Sequence, residues 1–94
     1  MSDINELIAK IQRMRESHDW QSSDTPNTLV KSLVIEANEL LEVFDADDLN
    51  IANVESELAD VLMYALTLAH DLGLDVEEAI VKKIAEVNTR VYEE

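Results

Sequence analysis

Two pairs of carboxylates carry the clearest chemical signal in this sequence. Glu36 and Glu39 stand three positions apart, and Glu57 and Asp60 repeat that spacing. Residues three apart are neighbours on a helical surface, so each pair aims two carboxylates in one direction. If the two helices lie side by side, the pairs form a cage of oxygen ligands, which Mg²⁺ or Mn²⁺ prefers. Two such charges about 4 Å apart repel by roughly 4 kcal/mol at an effective dielectric of 20, so the cage requires a cation or protons.

Chance provides an alternative explanation for these pairs, since 21 of the 94 residues are acidic. Other pairs with the same spacing are Glu39/Glu42, Asp45/Asp48 and Asp75/Glu78. We interpret those as solvated faces or helix caps. The first two pairs differ because apolar residues accompany them in helical projection, namely Leu33, Leu40, Leu58 and Val61. Charges beside an apolar stripe need a compensating partner, which favours a metal site.

Other catalytic chemistries fit the sequence poorly. A di-iron bundle requires Glu three residues before a histidine, but Thr67 precedes His70 and Arg15 precedes His18 at that spacing. A single glycine excludes a glycine-rich phosphate loop, and the lack of cysteine excludes a cysteine-based zinc site. Metal-assisted attack by water remains.

Composition restricts the partners and the setting. The net charge of −14 disfavours nucleic acid, whose binding depends on Lys and Arg displacing counterions. No apolar run approaches the roughly 20 residues that cross a bilayer, and no signal-peptide pattern is visible, so we expect neither membrane association nor export. The absence of cysteine fits a reducing cytoplasm, where we expect the protein to reside.

Hydrophobic periodicity predicts an all-α fold that forms a single domain over residues 1–94. Four helices are expected at about 3–17, 28–44, 52–71 and 75–92. Asn27 or Thr28 is the expected cap of the second helix, Gly73 that at the end of the third, and Asp75 with Glu78 a capping box for the fourth.

The predicted elements favour a hairpin inside an oligomer. A short connection makes the second and third helices antiparallel neighbours. The third helix is apolar around much of its circumference, so we expect it to be central and buried on more than one side. The other three helices of one chain are too few to cover its apolar surface. We therefore predict a homodimer, or a homotetramer built as a dimer of dimers, with these two helices in the shared core.

The same motifs resemble those of a known family, the MazG-like all-α nucleoside triphosphate pyrophosphohydrolases. That family carries Glu-x-x-Glu on one helix and Glu-x-x-Asp on the next. This chain reads Ile35-Glu36-Ala37-Asn38-Glu39-Leu40, then Glu57-Leu58-Ala59-Asp60-Val61-Leu62, and later Leu72-Gly73-Leu74-Asp75. Many members place a further Glu where Ile35 stands, but the branch resembling dCTP pyrophosphatases lacks it too.

The resemblance implies a reaction and a set of roles. A nucleoside triphosphate is hydrolysed between its α and β phosphates with Mg²⁺, giving a monophosphate and pyrophosphate. Metal ligands would be Glu36, Glu39, Glu57 and Asp60, with Glu39 also the expected general base. Substrate-binding candidates that the resemblance implies are Trp20 near the base, and Lys83, Asn88, Arg90 and Tyr92 near the phosphates. Position in the sequence adds His18 near the base, Tyr64 one turn beyond Asp60, and Lys31, a base near the first motif, as a phosphate contact. Lys82 competes with Lys83, and Val87 competes with Asn88 for the family's Asn position.

Three functions stay open from the sequence. The first is Mg²⁺-dependent hydrolysis of (deoxy)nucleoside triphosphates for pool sanitation or nucleotide balance. The second is a non-enzymatic acidic helical interaction module, whose stability Mg²⁺ would not change. The third is a phosphoribosyl-ATP pyrophosphohydrolase, which shares the general scaffold.

Overall fold

The structure, a computed structural model, describes residues 3–45 and 47–93, with side chains described as far as residue 90. Four α-helices make up most of it: α1 (Ile4–Ser17), α2 (Pro26–Asp45), α3 (Ile51–Asp71) and α4 (Val76–Glu93). A short 3₁₀ turn, Trp20–Ser22, lies between α1 and α2. Because the described ranges contain no strand, the all-α prediction is confirmed.

The start of α2 differs from the prediction. The helix begins at Pro26, and the capping residue is Thr25, whose Oγ1 accepts a hydrogen bond from the backbone N–H of Thr28 at 3.1 Å. In return, the backbone N–H of Thr25 donates to Oγ1 of Thr28 at 2.8 Å. The prediction of Asn27 or Thr28 as the cap was wrong because proline is favourable in the first helical position, where its missing N–H has no helical partner.

The other helix ends follow the predicted pattern. Gly73 adopts φ +70° after α3, and the N–H of Leu74 donates back to the carbonyl of Ala69 at 2.9 Å, as in a Schellman motif. Oδ1 of Asp75 accepts the backbone N–H of Glu78 at 3.0 Å and so caps α4. These caps end α3 at Asp71 and begin α4 at Val76, so only a short link separates the two helices.

The α2–α3 hairpin forms the centre of the chain, as predicted. α2 packs along α3, α1 packs on α3 from another side, and α4 makes few contacts with the other helices. Among the described residues, Ile11 and Leu29 are the buried apolar ones, so the core within one chain is small. On α3, Leu58 and Leu62 keep 43% and 52% of their surface exposed, so one chain alone does not bury this helix on all sides.

Among the described residues, no helix is both long and apolar enough to cross a membrane.

Candidate metal centre and active site

Three glutamates meet across the α2–α3 hairpin. Glu36 and Glu39 come from α2 and Glu57 from α3, and one carboxylate oxygen from each lies within 4.8 Å of the other two. We call these three residues the glutamate trio. Their convergence results from the three-residue spacing on α2, which puts two side chains on the face that contacts α3. The trio therefore has the donor set of a site for a hard divalent cation.

Two oxygens of the trio are buried and unsatisfied. Oε2 of Glu36 and Oε2 of Glu57 have no hydrogen-bond partner among the described residues. Burial, and then the neighbouring Glu39 carboxylate, raises the pKa of Glu36 to about 7. The pKa of Glu57 is also raised, first by burial and then by the charges of Glu39 and Asp60. Unpaired buried carboxylate oxygens are costly, and a cation is the partner that suits them. The residues present thus fit a divalent metal ion.

Asp60 lies at the edge of the glutamate trio. It is not among the three residues whose oxygens converge within 4.8 Å, but its charge helps to raise the pKa of both Glu36 and Glu57. Its side chain also lines a neighbouring pocket. The glutamate trio and Asp60 together form an acidic cluster of four carboxylates. Asp60 therefore connects this cluster with the pocket where a ligand can bind.

That pocket has a volume of about 500 Å³ and lies between α1, the 3₁₀ turn and α3. Its size is within the range typical of small-molecule sites. These elements, the segment that follows the 3₁₀ turn and the first turn of α2 contribute the lining residues, which are Ile11, Met14, Arg15, Trp20, Ser23, Asp24, Leu29, Asp60, Met63, Tyr64 and Thr67. Predicted site residues Trp20, Asp60 and Tyr64 are thus brought together around one space.

The aromatic side of the pocket is formed by the segment after α1. Trp20 stacks on His18 with ring centroids 4.4 Å apart and an angle of 18° between the planes. Asp19 between them has φ 56°, a left-handed conformation that aspartate tolerates better than most residues and that reverses the chain after α1. Trp20 is 48% exposed, so part of the indole remains accessible to a ligand.

Sequence reasoning missed one group in this site, the buried ion pairs of Arg15. Arg15 is 3% exposed, and its guanidinium pairs with Asp71 at 2.9 Å and with Asp24 at 3.3 Å. The hydrogen bond with Asp71 is the main cause that raises the pKa of Arg15. A signal was present in the sequence, because Arg15 stands four residues after Ile11 and hence on the apolar face of α1.

The sequence around this site matches a known protein family. The model of the MazG nucleotide pyrophosphohydrolase domain matches residues 24–92. The chain belongs to this family. The matched range contains the glutamate trio and Asp60, whereas Arg15 and Trp20 precede it. The resemblance inferred from the two acidic motifs is confirmed.

Curated relatives of this MazG-family chain are larger proteins. It is 32% identical to dCTP pyrophosphatase 1 of Rattus norvegicus, over 89% of this chain and 54% of that protein. It is 31% identical to dCTP pyrophosphatase 1 of Homo sapiens, over 98% of this chain and 58% of that protein. The chain therefore spans little more than half the length of the curated relatives it matches.

A solved structure matches the whole fold. The crystal structure of a pyrophosphatase from Archaeoglobus fulgidus superimposes with a TM-score of 0.86 and 32% sequence identity. The match covers 100% of this chain and 95% of that one. The arrangement of the four helices is therefore shared with a protein of similar size.

The candidates on α4 lie apart from the acidic cluster in this MazG-family chain. Lys83 pairs with Glu86 at 3.0 Å, Arg90 approaches the same Glu86 at 3.8 Å, and both are exposed. Lys83 and Asn88 border a shallow apolar groove along α4, together with Val87. Because α4 makes few contacts with the other helices, the single chain does not bring these residues to the glutamate trio.

Two further candidates add less to the site. Lys31 is an exposed residue of α2, one and a half turns before Glu36. Tyr92 belongs to the last turn of α4, and its side chain lies outside the described residues. Lys31 is not among the described residues that line the pocket beside Asp60.

Proposed function

We propose that this protein hydrolyses (deoxy)nucleoside triphosphates to a nucleoside monophosphate and pyrophosphate, with Mg²⁺ or Mn²⁺ held by the acidic cluster. The observation that carries this proposal is the pair of buried, unpartnered oxygens on Glu36 and Glu57, which converge with Glu39 beside a pocket of about 500 Å³. Membership of a nucleotide pyrophosphohydrolase family and the likeness to dCTP pyrophosphatases support the same reaction.

The acidic cluster would hold the cation and accept the proton of the attacking water. Glu36, Glu39 and Glu57 supply the converging oxygens, and Asp60 at the edge would complete the set. When bound, the cation neutralises phosphate oxygens and so reduces their repulsion by a chain of net charge −14. Glu39 is the exposed member of the trio, so it can accept the proton of a water molecule that attacks the α-phosphorus.

The neighbouring pocket would hold the nucleoside. Trp20 offers a half-exposed indole face for stacking on a base, while Tyr64 and Asp60 form part of the wall nearer the acidic cluster. Stacking is sequence-tolerant because every base has a π face. The likeness to dCTP pyrophosphatases points to dCTP or another pyrimidine nucleotide as the preferred substrate. Such a role fits nucleotide pool sanitation or balance in the cytoplasm.

The working form would be a homodimer or homotetramer. The chain exposes 7192 Å² of surface, roughly 1,700 Å² more than the about 5,500 Å² of a folded monomer of its mass. Its radius of gyration of 15.8 Å compares with about 12 Å for a compact domain of this length. The excess exceeds the roughly 800 Å² per partner of a standard interface. A second copy would cover the exposed apolar surface of α3 and α4 and could bring Lys83 and Arg90 to a site.

The decisive experiment measures pyrophosphate release from a panel of canonical and modified nucleoside triphosphates and phosphoribosyl-ATP, with Mg²⁺ and with chelator. We expect release from at least one triphosphate, most strongly from dCTP or another pyrimidine nucleotide. Glu39→Gln should lower kcat by about 10²–10⁴-fold, as for loss of a general base. Glu42→Gln, an exposed glutamate of α2 outside the cluster, is the matched control. Metal-loaded protein that leaves every nucleotide intact would refute the proposal, and release from phosphoribosyl-ATP alone would replace it with the histidine-pathway reaction.

A further inference from the structure

Arg15 forms a buried ionic junction that the proposed chemistry does not use. Its Nη1 and Nη2 donate to the two carboxylate oxygens of Asp71 at 3.0 and 2.9 Å, and Nη2 also donates to Oδ2 of Asp24 at 3.3 Å. Oε1 of Gln12 accepts a further bond from Nη1 at 2.6 Å. The side chains of Asp24 and Asp71 are 29% and 24% exposed, so the whole junction is largely removed from water. We call Arg15, Asp24 and Asp71 the Arg15 clamp.

The Arg15 clamp joins three separate segments of the chain. Arg15 belongs to α1, Asp24 to the segment between the 3₁₀ turn and α2, and Asp71 is the last residue of α3. Two-pronged contacts of this kind fix both the distance and the orientation of the groups they join. Loss of one partner leaves the other charge buried and unpaired. The relative positions of the three segments therefore depend on all three residues.

The junction leads directly to the aromatic wall of the pocket. The backbone N–H of Asp24 donates to the carbonyl of Trp20 at 3.0 Å, so Asp24 is bonded both to Arg15 and to the residue that carries the indole. Arg15 and Asp24 themselves line the pocket. Across the same space, α3 contributes Asp60 and Tyr64. The route from Asp71 through Arg15 and Asp24 to Trp20 thus ties one wall of the pocket to the helix that forms the other.

We infer that Arg15 is a positioning residue that sets the distance between Trp20 and the α3 wall of the pocket, and so determines how the nucleoside part of the substrate is bound. The inference rests on the proposed function for its substrate, but its geometric content stands without it. The glutamate trio belongs to the α2–α3 hairpin, and among the described residues no hydrogen bond or salt bridge joins it to Arg15, Asp24 or Asp71. Loosening the clamp should therefore alter the nucleoside pocket more than the metal centre, with which the pocket shares Asp60.

The first test needs no substrate, because Trp20 is the only tryptophan and its fluorescence reports on one wall of the pocket. Arg15→Gln and Asp71→Asn should make Trp20 more accessible to acrylamide and shift its emission to longer wavelength. Arg13→Gln, an exposed arginine on the same helix, is the matched control and should change neither. Trp20 quenching that is identical in the wild type and in both clamp variants overturns the inference.

The second test separates positioning from general loss of structure. With the preferred triphosphate and saturating Mg²⁺, Arg15→Gln should raise KM by about tenfold and change kcat much less, as for removal of binding energy common to ground and transition states. The increase in melting temperature on adding Mg²⁺ should persist. Arg15→Lys keeps the charge but not the two-pronged contact, and should recover only part of the affinity. An equal loss of kcat and of the Mg²⁺ effect overturns the inference in favour of a purely structural role.

Two further variants keep the test decisive. If Arg15→Gln fails to fold by circular dichroism, Asp24→Asn removes only the longer 3.3 Å contact and should show a smaller KM increase in the same direction. Because the residues act as one unit, Arg15→Gln combined with Asp71→Asn should raise KM little more than either change alone. Additive effects overturn the inference. If no triphosphate is cleaved, the proposed function fails, while the acrylamide experiment still decides whether the clamp positions Trp20.

Discussion

Oε2 of Glu36 on α2 and Oε2 of Glu57 on α3 are both buried and both lack a hydrogen-bond partner within the described residues. The two glutamates converge with Glu39, so three acidic groups face one another. Burial, and then repulsion by the neighbouring carboxylates, raises the pKa values of Glu36 and Glu57. Bringing these carboxylates together therefore destabilises the metal-free hairpin, and a bound cation would remove this destabilisation.

Mg²⁺ should stabilise the folded protein. A ligand that binds only the native state adds about 2.7 kcal/mol at a free concentration one hundred times its dissociation constant. Thermal unfolding with increasing Mg²⁺, and separately Mn²⁺, should show a melting temperature that rises with metal concentration. Glu57→Gln should lose most of this increase, and Asp60→Asn should weaken it, because each removes a charge from the cluster.

Glu42→Gln is the control for this measurement, since Glu42 is exposed on α2 outside the glutamate trio. Its response to Mg²⁺ should equal that of the wild type. A melting temperature that does not depend on Mg²⁺ in any variant would instead favour the non-enzymatic interaction module.

Glu36 should make both stability and metal binding depend on pH. Folding raises its pKa from the ordinary 4.5 to about 7. Because the pKa of Glu36 is higher in the folded than in the unfolded protein, protonation of Glu36 favours the metal-free fold. This stabilisation is fully present below about pH 4.5 and is lost as the pH rises through about 7. Mg²⁺ requires the ionised form, so its apparent affinity should increase over the same range.

The measurement compares wild type and Glu36→Gln by denaturant unfolding without metal, at several pH values between 4.5 and 8. The variant should gain stability relative to the wild type as the pH rises, since its amide never ionises. A constant difference between the two proteins across this range would mean that Glu36 titrates normally.

The acidic motifs and the hairpin could be predicted because they depend on local spacing. Glu36 and Glu39 share a helical face whatever the tertiary structure, and the short link from Asp45 to Ile51 leaves α2 and α3 little choice but to pack together. Gly73 likewise identified the end of α3, because its φ of +70° is a conformation that favours glycine.

Features that depend on contacts between residues distant in sequence could not be predicted from the sequence alone. The position of Asp60 at the edge of the trio depends on the rotation of α3 against α2, which spacing alone does not define. Pairing of Arg15 with Asp71, 56 residues later, required the packing of α1 on the end of α3. The left-handed Asp19 that directs Trp20 towards the pocket has no distinctive sequence pattern.

Trp20 should contribute to nucleotide affinity through stacking. Trp20→Ala should raise KM for a nucleoside triphosphate by about 5- to 150-fold, corresponding to roughly 1–3 kcal/mol per stacked base. Trp20→Phe keeps an aromatic face and should lose much less. Since Trp20 is 48% exposed, neither change should abolish folding by circular dichroism. Equal KM values for the wild type and the alanine variant would show that the indole only covers the end of the core.

Association of the chain should depend on the apolar face of α4. Ile80, Ile84 and Val87 follow one another at helical spacing and are 54%, 55% and 40% exposed, although α4 packs little on its own chain. Light scattering after size-exclusion chromatography should give the mass of a dimer or tetramer for the wild type. Ile84→Glu places a charge in the apolar contact and should shift the protein to smaller species with reduced stability. Lys82→Glu introduces the same residue on the opposite face of the helix and should leave the mass unchanged. A wild-type monomer at micromolar concentration would contradict the prediction, and the excess exposed surface would then need another partner.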